Sequence, residues 1–230
     1  MIGIIGAMVE EVALLKKNIE NPVENEVSGI RFVSGTMFGK DVVCAVCGIG
    51  KVNAAICAHA MILTYHPDCV INTGVGGAVD PSCRLLDVVL GERAVQHDSD
   101  TTGLGDEIGF VSTVNKVFFP LDERLTGKLE MALNDVNIPN RRGVVATGDQ
   151  FINNPERKEW IRATFGGTVC EMEGGAIAHA CYVCGVPCAI MRAISDAAGD
   201  DAFMSFNEFK KIASDRSAEA IMRYISEYAD

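Results

Sequence analysis

At 230 residues the chain has the length of one domain, and its 48% hydrophobic and 22% charged content describes a globular protein with a well-buried core. The formal charge of −11, from 31 acidic against 20 basic residues with no Lys/Arg run longer than two, leaves no positive footprint for nucleic acid or an anionic membrane. The apolar start has no basic lead and runs straight into Glu10 and Glu11, so it fits neither a signal peptide nor a spanning helix, and a cytoplasmic protein is expected.

In chain order, a strand is predicted at Ile2 to Ile5, closed by Gly6, and a helix at about Met8 to Asn18 with Val12, Leu15 and Ile19 on one face. Glu11 falls in its first turn, where the helix dipole favours the carboxylate and burial opposes it; as a surface residue it simply complements the dipole, and as a buried one it has the makings of a base. Strands at Arg31 to Met37 and Val42 to Cys47 follow, joined by a turn at Phe38-Gly39-Lys40-Asp41. Gly48-Ile49-Gly50-Lys51 then opens a helix to about Thr64; it lacks P-loop spacing and reads as a strand-to-helix turn. The strand Cys69 to Thr73 runs into Gly74-Val75-Gly76-Gly77-Ala78, where glycines either turn the chain or let backbone approach a ligand. After a strand at Asp87 to Ala94, the polar stretch His97 to Gly103 reads as a loop or edge in preference to a metal site.

A helix at about Leu121 to Val136 precedes a strand at Gly143 to Thr147 and then Gly148-Asp149-Gln150-Phe151-Ile152, whose Phe-Ile pair suits either a flat ring or a core plug. A helix near Glu156 to Phe165 and a short strand through Cys170 lead to Glu171-Met172-Glu173-Gly174-Gly175, which opens a helix ending at Gly185 as C-cap. Nine cysteines, an odd number set mostly in apolar runs, read as reduced core residues; His179, Cys181, Cys184 and Cys188 have some look of a metal site, but helix and strand positions argue against one. Val186 to Met191 is an apolar run of the kind covered on both faces, and its far end carries Arg192, Ser195 and Asp196. Ligands in open α/β sheets bind beyond the carboxyl ends of strands, so this tip is either a site or an ordinary polar strand end. Ser205 and Glu208 form a capping box for a last helix with Phe206, Phe209, Ile212, Ala213, Ala220, Tyr224 and Ile225 as its packing stripe.

Gly3-Ile4-Ile5-Gly6-Ala7-Met8 with Glu10-Glu11, Gly48-Ile49-Gly50-Lys51, Ile71-Asn72-Thr73-Gly74, Gly148-Asp149 with Phe151-Ile152, Glu171-Met172-Glu173 and Arg192-Ala193-Ile194-Ser195-Asp196 together resemble the 5′-methylthioadenosine/S-adenosylhomocysteine nucleosidases, over nearly the whole chain. The resemblance implies a single α/β domain, 1–230, with a central mixed sheet flanked by helices, of the nucleoside phosphorylase class. It implies hydrolysis of the N-glycosidic bond of these two adenine nucleosides, releasing adenine and a thioribose, with no metal or organic cofactor.

Carried over residue by residue, the resemblance makes Asp196 the acid that protonates N7 of adenine, oriented by Ser195, and Glu11 the base that activates water, helped by Arg192. Glu173 is implied to hold the ribose hydroxyls, with Met172 beside the sugar and Glu171 in support. Phe151 is implied to stack on adenine while the Ile152 backbone reads its edge and Gly77 lies close to the ligand. Met8, Ile49 and Phe206 are implied to line the thioalkyl slot, and Leu104 to reach it from the second subunit of a homodimer. Val75 stands where some family members carry a water-holding serine, which leaves the water to Glu11, Arg192 and backbone. Thr101 and Asp106 fall near positions that are often apolar and aromatic, which implies an open, polar slot mouth. Related phosphorylases bind phosphate near an amino-terminal arginine; here the turn carries carboxylates, which repel phosphate. An aminodeoxyfutalosine nucleosidase, a purine nucleoside phosphorylase and a silent nucleoside-binding protein are the alternatives.

Overall fold

The computed structural model describes the backbone of residues 1–196 and 202–229 and the side chains of 1–196 and 209–229. Its strands are β1 (Ile2–Gly6), β2 (Glu20–Val27), β3 (Ile30–Met37), β4 (Lys40–Val46), β5 (Cys69–Ala78), β6 (Val88–Gln96), β7 (Phe118–Pro120), β8 (Asn140–Thr147), β9 (Gly167–Glu171) and β10 (Cys188–Asp196). The helices are α1 (Val9–Lys17), α2 (Lys51–Tyr65), α3 (Glu123–Asp135), α4 (Pro155–Phe165), α5 (Gly174–Cys184) and α6 (Ala202–Glu227). All ten strands join one mixed sheet in the order β10-β6-β8-β9-β5-β1-β4-β3-β2, with β7 beside β6. Because β10 also pairs with β5, the central strands close on themselves and the others extend as a flap. The expected α/β mixed sheet flanked by helices is what forms.

The core lies on both sides of this sheet. Helices α2 and α5 pack together over one face, and α1, α3 and α6 over the other. Ile5, Met61, Ile177 and Ile190 belong to the first apolar cluster, and Ile4, Leu15, Ile71, Leu129 and Met191 to the second. Alternation along the strands explains the division, since Ile4 and Ile5 point to opposite faces of β1. Helix α4 covers a third cluster through Ile161 and Phe165.

Five elements depart from the sequence expectations, the short strand β7 being one for which no strand is expected. Strand β2 was not anticipated: seven of its eight residues are exposed and Pro22 interrupts it, which an edge strand tolerates and an apolar pattern does not reveal. Strands β5 and β10 run further than expected, β5 through the glycines to Ala78 and β10 through Arg192 to Asp196, with every residue of β10 buried. Helix α6 already runs from Ala202, so the backbone of Ser205 and Glu208 lies within it, past its start, and their side chains lie outside the described residues. Ile212, placed on the packing stripe of that helix, is 48% exposed, whereas Ala213, Ala220, Tyr224 and Ile225 are buried as expected.

Strands β1, β5 and β10 are mutually parallel, so their carboxyl ends meet at one edge. A register shift between Ile194 and Asp196 leaves Ser195 as the extra residue and sets Asp196 opposite Gly77. Such bulges re-aim a side chain, here the last carboxylate of the strand.

Candidate active site

At that edge lies a cavity of about 410 Å³, within the span usual for small-molecule sites. Met8, Glu11, Ile49, Gly77, Phe151, Ile152, Glu171, Met172, Glu173, Ser195 and Asp196 all line it, together with Val75, Gln150 and Cys170. Residues scattered over the chain in sequence therefore converge on one space. Arg192 sits behind the wall, 1% exposed. Leu104 is 84% exposed and outside the lining, and the side chain of Phe206 lies outside the described residues.

Glu11 is held by backbone alone. The N–H groups of Ala7 (2.6 Å) and Met8 (2.9 Å) donate to its Oε2, and that of Val75 (3.0 Å) donates to Oε1. Reaching back from the third residue of α1 to the N-cap backbone is half of a capping box, turned inward. Burial pushes the carboxyl up, against the opposing pull of Arg192 and of these three N–H groups. In the competition between dipole and desolvation, desolvation wins. Neighbouring Glu10, by contrast, faces outward to Lys210 at 3.0 Å.

Glu171 occupies the centre of a buried network. Its Oε2 accepts from Arg192 Nε (3.1 Å) and Nη2, from Glu173 N (3.1 Å) and from Gly174 N (2.7 Å), while Oε1 accepts from Thr147 Oγ1. Arg192 also donates to the Asn72 carbonyl (3.3 Å), the Met191 carbonyl (3.0 Å) and Asn72 Oδ1. Burial presses the guanidinium down, but Glu171, Glu11 and Glu173 outweigh it and hold it above the usual range. Arg192 thus influences Glu11 through its charge, since its hydrogen bonds go to Glu171, Asn72 and Met191. The backbone support that Glu171 gives Glu173 is the bond from Glu173 N.

Glu173 points into the cavity with Oε1 accepting from Gly50 N at 2.8 Å. Burial first, then the charge of Glu171, pushes its carboxyl up to about 7, against Arg192 and the Gly50 bond. Asp149 Oδ1 accepts from Lys51 N at 2.8 Å. The glycine turn that opens α2 therefore donates to two carboxylates of the chain itself. Asp98 links the same turn to its surroundings, accepting from Lys51 Nζ (2.7 Å) and Asp149 N (2.8 Å), so the polar stretch after β6 has a structural role.

Asp196 is 2% exposed, with Ser195 Oγ donating to its Oδ1 at 3.1 Å. Its Oδ2 accepts from Lys158 Nζ at 3.0 Å, and Lys158 is itself 4% exposed. Sequence reasoning missed Lys158. The signal was present, because Lys158 shares the inward face of α4 with Ile161 and Phe165, and a cation at a core position demands a buried partner.

Two glycines in β5 make this site possible. A Cβ on Gly74 would stand 2.5 Å from Glu11 Oε1, and one on Gly77 would stand 2.9 Å from Asp196 Oδ2. Phe151 is half exposed and Ile152 buried, so the pair divides into a ring at the cavity surface and a core plug. His179 stacks on Phe119 at 4.6 Å, which accounts for it without a metal. Among the described residues no His/Cys/Asp/Glu group is arranged to hold a metal ion.

A sequence model of the phosphorylase superfamily matches residues 1–226. The 5′-methylthioadenosine/S-adenosylhomocysteine nucleosidase of Marinomonas sp. is 38% identical over 98% of both chains, and that of Anoxybacillus flavithermus is 39% identical over 98% of both. The chain belongs to this nucleosidase family. Among solved structures, the family member from Neisseria meningitidis in complex with methylthio-immucillin-A is 34% identical and superposes with a TM-score of 0.94, covering 98% of both chains. A Helicobacter pylori structure described as futalosine hydrolase is 32% identical with the same TM-score, covering 98% of this chain and 97% of its own. The nucleosidase family thus accounts for the motifs together with the geometry that joins them.

Proposed function

We propose that this nucleosidase hydrolyses the N-glycosidic bond of 5′-methylthioadenosine and S-adenosylhomocysteine. The observation that carries the reading is the convergence of Glu11, Glu173 and Asp196 on one cavity, each in a different electrostatic setting. Relatives at 36–39% identity over nearly the full chain bear the name of this activity.

In the mechanism, Asp196 gives a proton to N7 of adenine, so that the base leaves neutral as the sugar passes through an oxocarbenium-like state. Glu11 takes a proton from the attacking water. One carboxyl group serving as acid and another activating water is the division of labour of inverting glycosidases. Glu173 accepts from the ribose 2′- and 3′-hydroxyls, and charge-assisted bonds of this kind are about twice as strong as neutral ones. Met172 packs beside the sugar, Phe151 stacks on adenine, and the Ile152 backbone reads its polar edge. Val75 brings no hydroxyl to the water, and its N–H is committed to Glu11. Glu11 therefore carries the water with only the charge of Arg192 behind it.

Met8 and Ile49, which line the cavity, form the slot for the thioalkyl tail, and a second copy of the chain completes it with Leu104; the side chain of Phe206, expected there too, lies outside the described residues. Two observations support the homodimer: Leu104 is exposed, and so are Val52, Ile56 and Leu63 on α2 and Val183 on α5, the helix that α2 packs against. Nine free cysteines support a reducing, cytoplasmic location. No helix among the described residues is long and apolar enough to cross a membrane.

Adenine release measured with and without inorganic phosphate tests the reaction class. Equal rates and a free thioribose are expected, because water is the nucleophile; a phosphate requirement with a ribose 1-phosphate product overturns the reading. Running aminodeoxyfutalosine beside methylthioadenosine separates this reading from the nearest alternative substrate.

A further inference from the structure

The ion pair between Lys158 and Asp196 sets a problem for the mechanism on which this inference rests. The carboxylate that must hold a proton as general acid has an ammonium 3.0 Å away. Both side chains are buried, at 5% and 3% exposure, so solvent does little to screen the pair. Only Asp196 reaches the cavity; Lys158 stands behind it on α4, seven residues after Phe151, which lines the cavity.

We propose that Lys158 supplies the proton that Asp196 passes to the leaving base, so that the buried pair, and not the carboxyl group alone, stores the catalytic proton. With one proton shared, ammonium-carboxylate and amine-carboxylic acid are two arrangements of the same pair. An incoming N7 acceptor on the free side of Asp196 draws the second arrangement. As the C1′–N9 bond breaks, its electron pair stays on the base and N7 takes the shared proton from Asp196, which leaves the ionised carboxylate beside a neutral Lys158 amine. The attacking water loses its proton to Glu11. After adenine leaves, solvent restores the Lys158 proton and accepts that of Glu11, so the cycle closes with water as the only reagent consumed.

The surroundings of the pair agree with this role. From β10, Ser195 fixes Oδ1 and leaves Oδ2 to the lysine. From β5, Gly77 lies against the carboxylate without a side chain. From β9, Cys170 is a neutral neighbour, its thiol pushed up to about 12 by burial, and Glu171 is tied to Arg192. On α4 itself, Arg157 lies over Trp160 at 3.8 Å and Glu159 pairs with Arg162, and none of these lines the cavity. Lys158 acts through Asp196 and is a positioning residue in that sense.

The test is the pH profile of kcat/KM for adenine release from methylthioadenosine by wild type, Lys158→Met, Lys158→Arg and Asp196→Asn. In Lys158→Met the acid must hold its proton unaided, and the alkaline limb is expected to move to lower pH by at least about one unit, a tenfold loss beyond it. Arginine keeps the positive charge but does not release a proton in proteins. Lys158→Arg should therefore hold the carboxylate, keep KM within a few-fold, and lose kcat within the roughly 10²- to 10⁴-fold range of general acid catalysis. An alkaline limb that moves upward in Lys158→Met, or wild-type kcat and limb in Lys158→Arg, overturns the proposal. Should the methionine variant fail to fold, the arginine variant decides. Asp196→Asn separates the two levels: if it turns over like wild type, the acid assignment itself is wrong, whereas an inactive Asp196→Asn beside a fully active Lys158→Arg removes only the role of the lysine.

Discussion

Replacing Glu173 with glutamine keeps an oxygen for the Gly50 N–H and removes the charge, which makes it a clean probe of what the carboxylate costs the fold. Burial and the charge of Glu171 raise this carboxyl from 4.5 to about 7. Below 4.5 the group is neutral in folded and unfolded chains alike, and its contribution to stability is fully present. As pH rises the unfolded chain ionises first, and stability is lost until the folded group ionises near 7. The difference of about 2.5 pH units corresponds to about 3 kcal/mol in full, of which about 2 kcal/mol falls between roughly pH 5 and pH 8. Glutamine does not titrate, so Glu173→Gln should gain about 2 kcal/mol on wild type over that interval, or about 4–8 °C in melting temperature for a chain of this size. Thermal unfolding of both proteins without ligand, at the two pH values, measures it. The same variant should lose adenine release, because an amide offers the ribose one acceptor oxygen where the carboxylate offers two. A melting-temperature gap that is the same at both pH values would refute the reasoning, as would a gap that narrows at the higher one.

Gly74→Ala should move the base without touching it chemically: its Cβ would stand 2.5 Å from Glu11 Oε1, and three backbone N–H groups keep the carboxylate from retreating. Misplacing a reacting group by about 1 Å costs on the order of 10²-fold, so steady-state kcat should fall by about that factor, and unchanged kcat would show that Glu11 does not act there. Sedimentation should give a dimer, and Leu104→Asp should weaken turnover of methylthioadenosine more than it weakens folding; full activity as a monomer would refute the shared slot.

The carboxylates were legible in the sequence because each stands at an element boundary where a charged residue interrupts apolar neighbours. Glu11 follows β1, Glu173 follows β9 and Asp196 ends β10. What the sequence concealed was which partner each would meet. Arg192 looked like part of a polar strand tip, yet it lies in the middle of a nine-residue buried strand, neutralised by Glu171 from another strand. The β5 glycines admitted two readings, a turn or a close approach. Only the packed strand reveals that their missing side chains are the space in which Glu11 and Asp196 lie. Lys158 was concealed for the opposite reason: Glu156, Arg157 and Glu159 around it are ordinary helix-surface residues, and periodicity alone marks the third charge as inward. Strand β2 left no apolar signal because an outer edge needs none.

The division of roles among the acids follows from how much acceptor capacity each retains. An ionised carboxylate has about four lone-pair sites. Glu171 accepts from Thr147, twice from Arg192, and from Glu173 N and Gly174 N, so it lines the cavity with nothing left to offer a ligand. Glu11 accepts three N–H groups, which leaves room for one further donor, the number a single attacking water requires. Glu173 accepts only Gly50 N among the described residues, and so has capacity for two hydroxyls together. Asp196 divides its oxygens between Ser195 and Lys158, keeping capacity on the cavity side for the edge of a base. Charge alone would not separate these four residues, all buried acids within one site. Their backbone and side-chain partners do, and the chain sets those partners by placing each acid at a different strand or helix end.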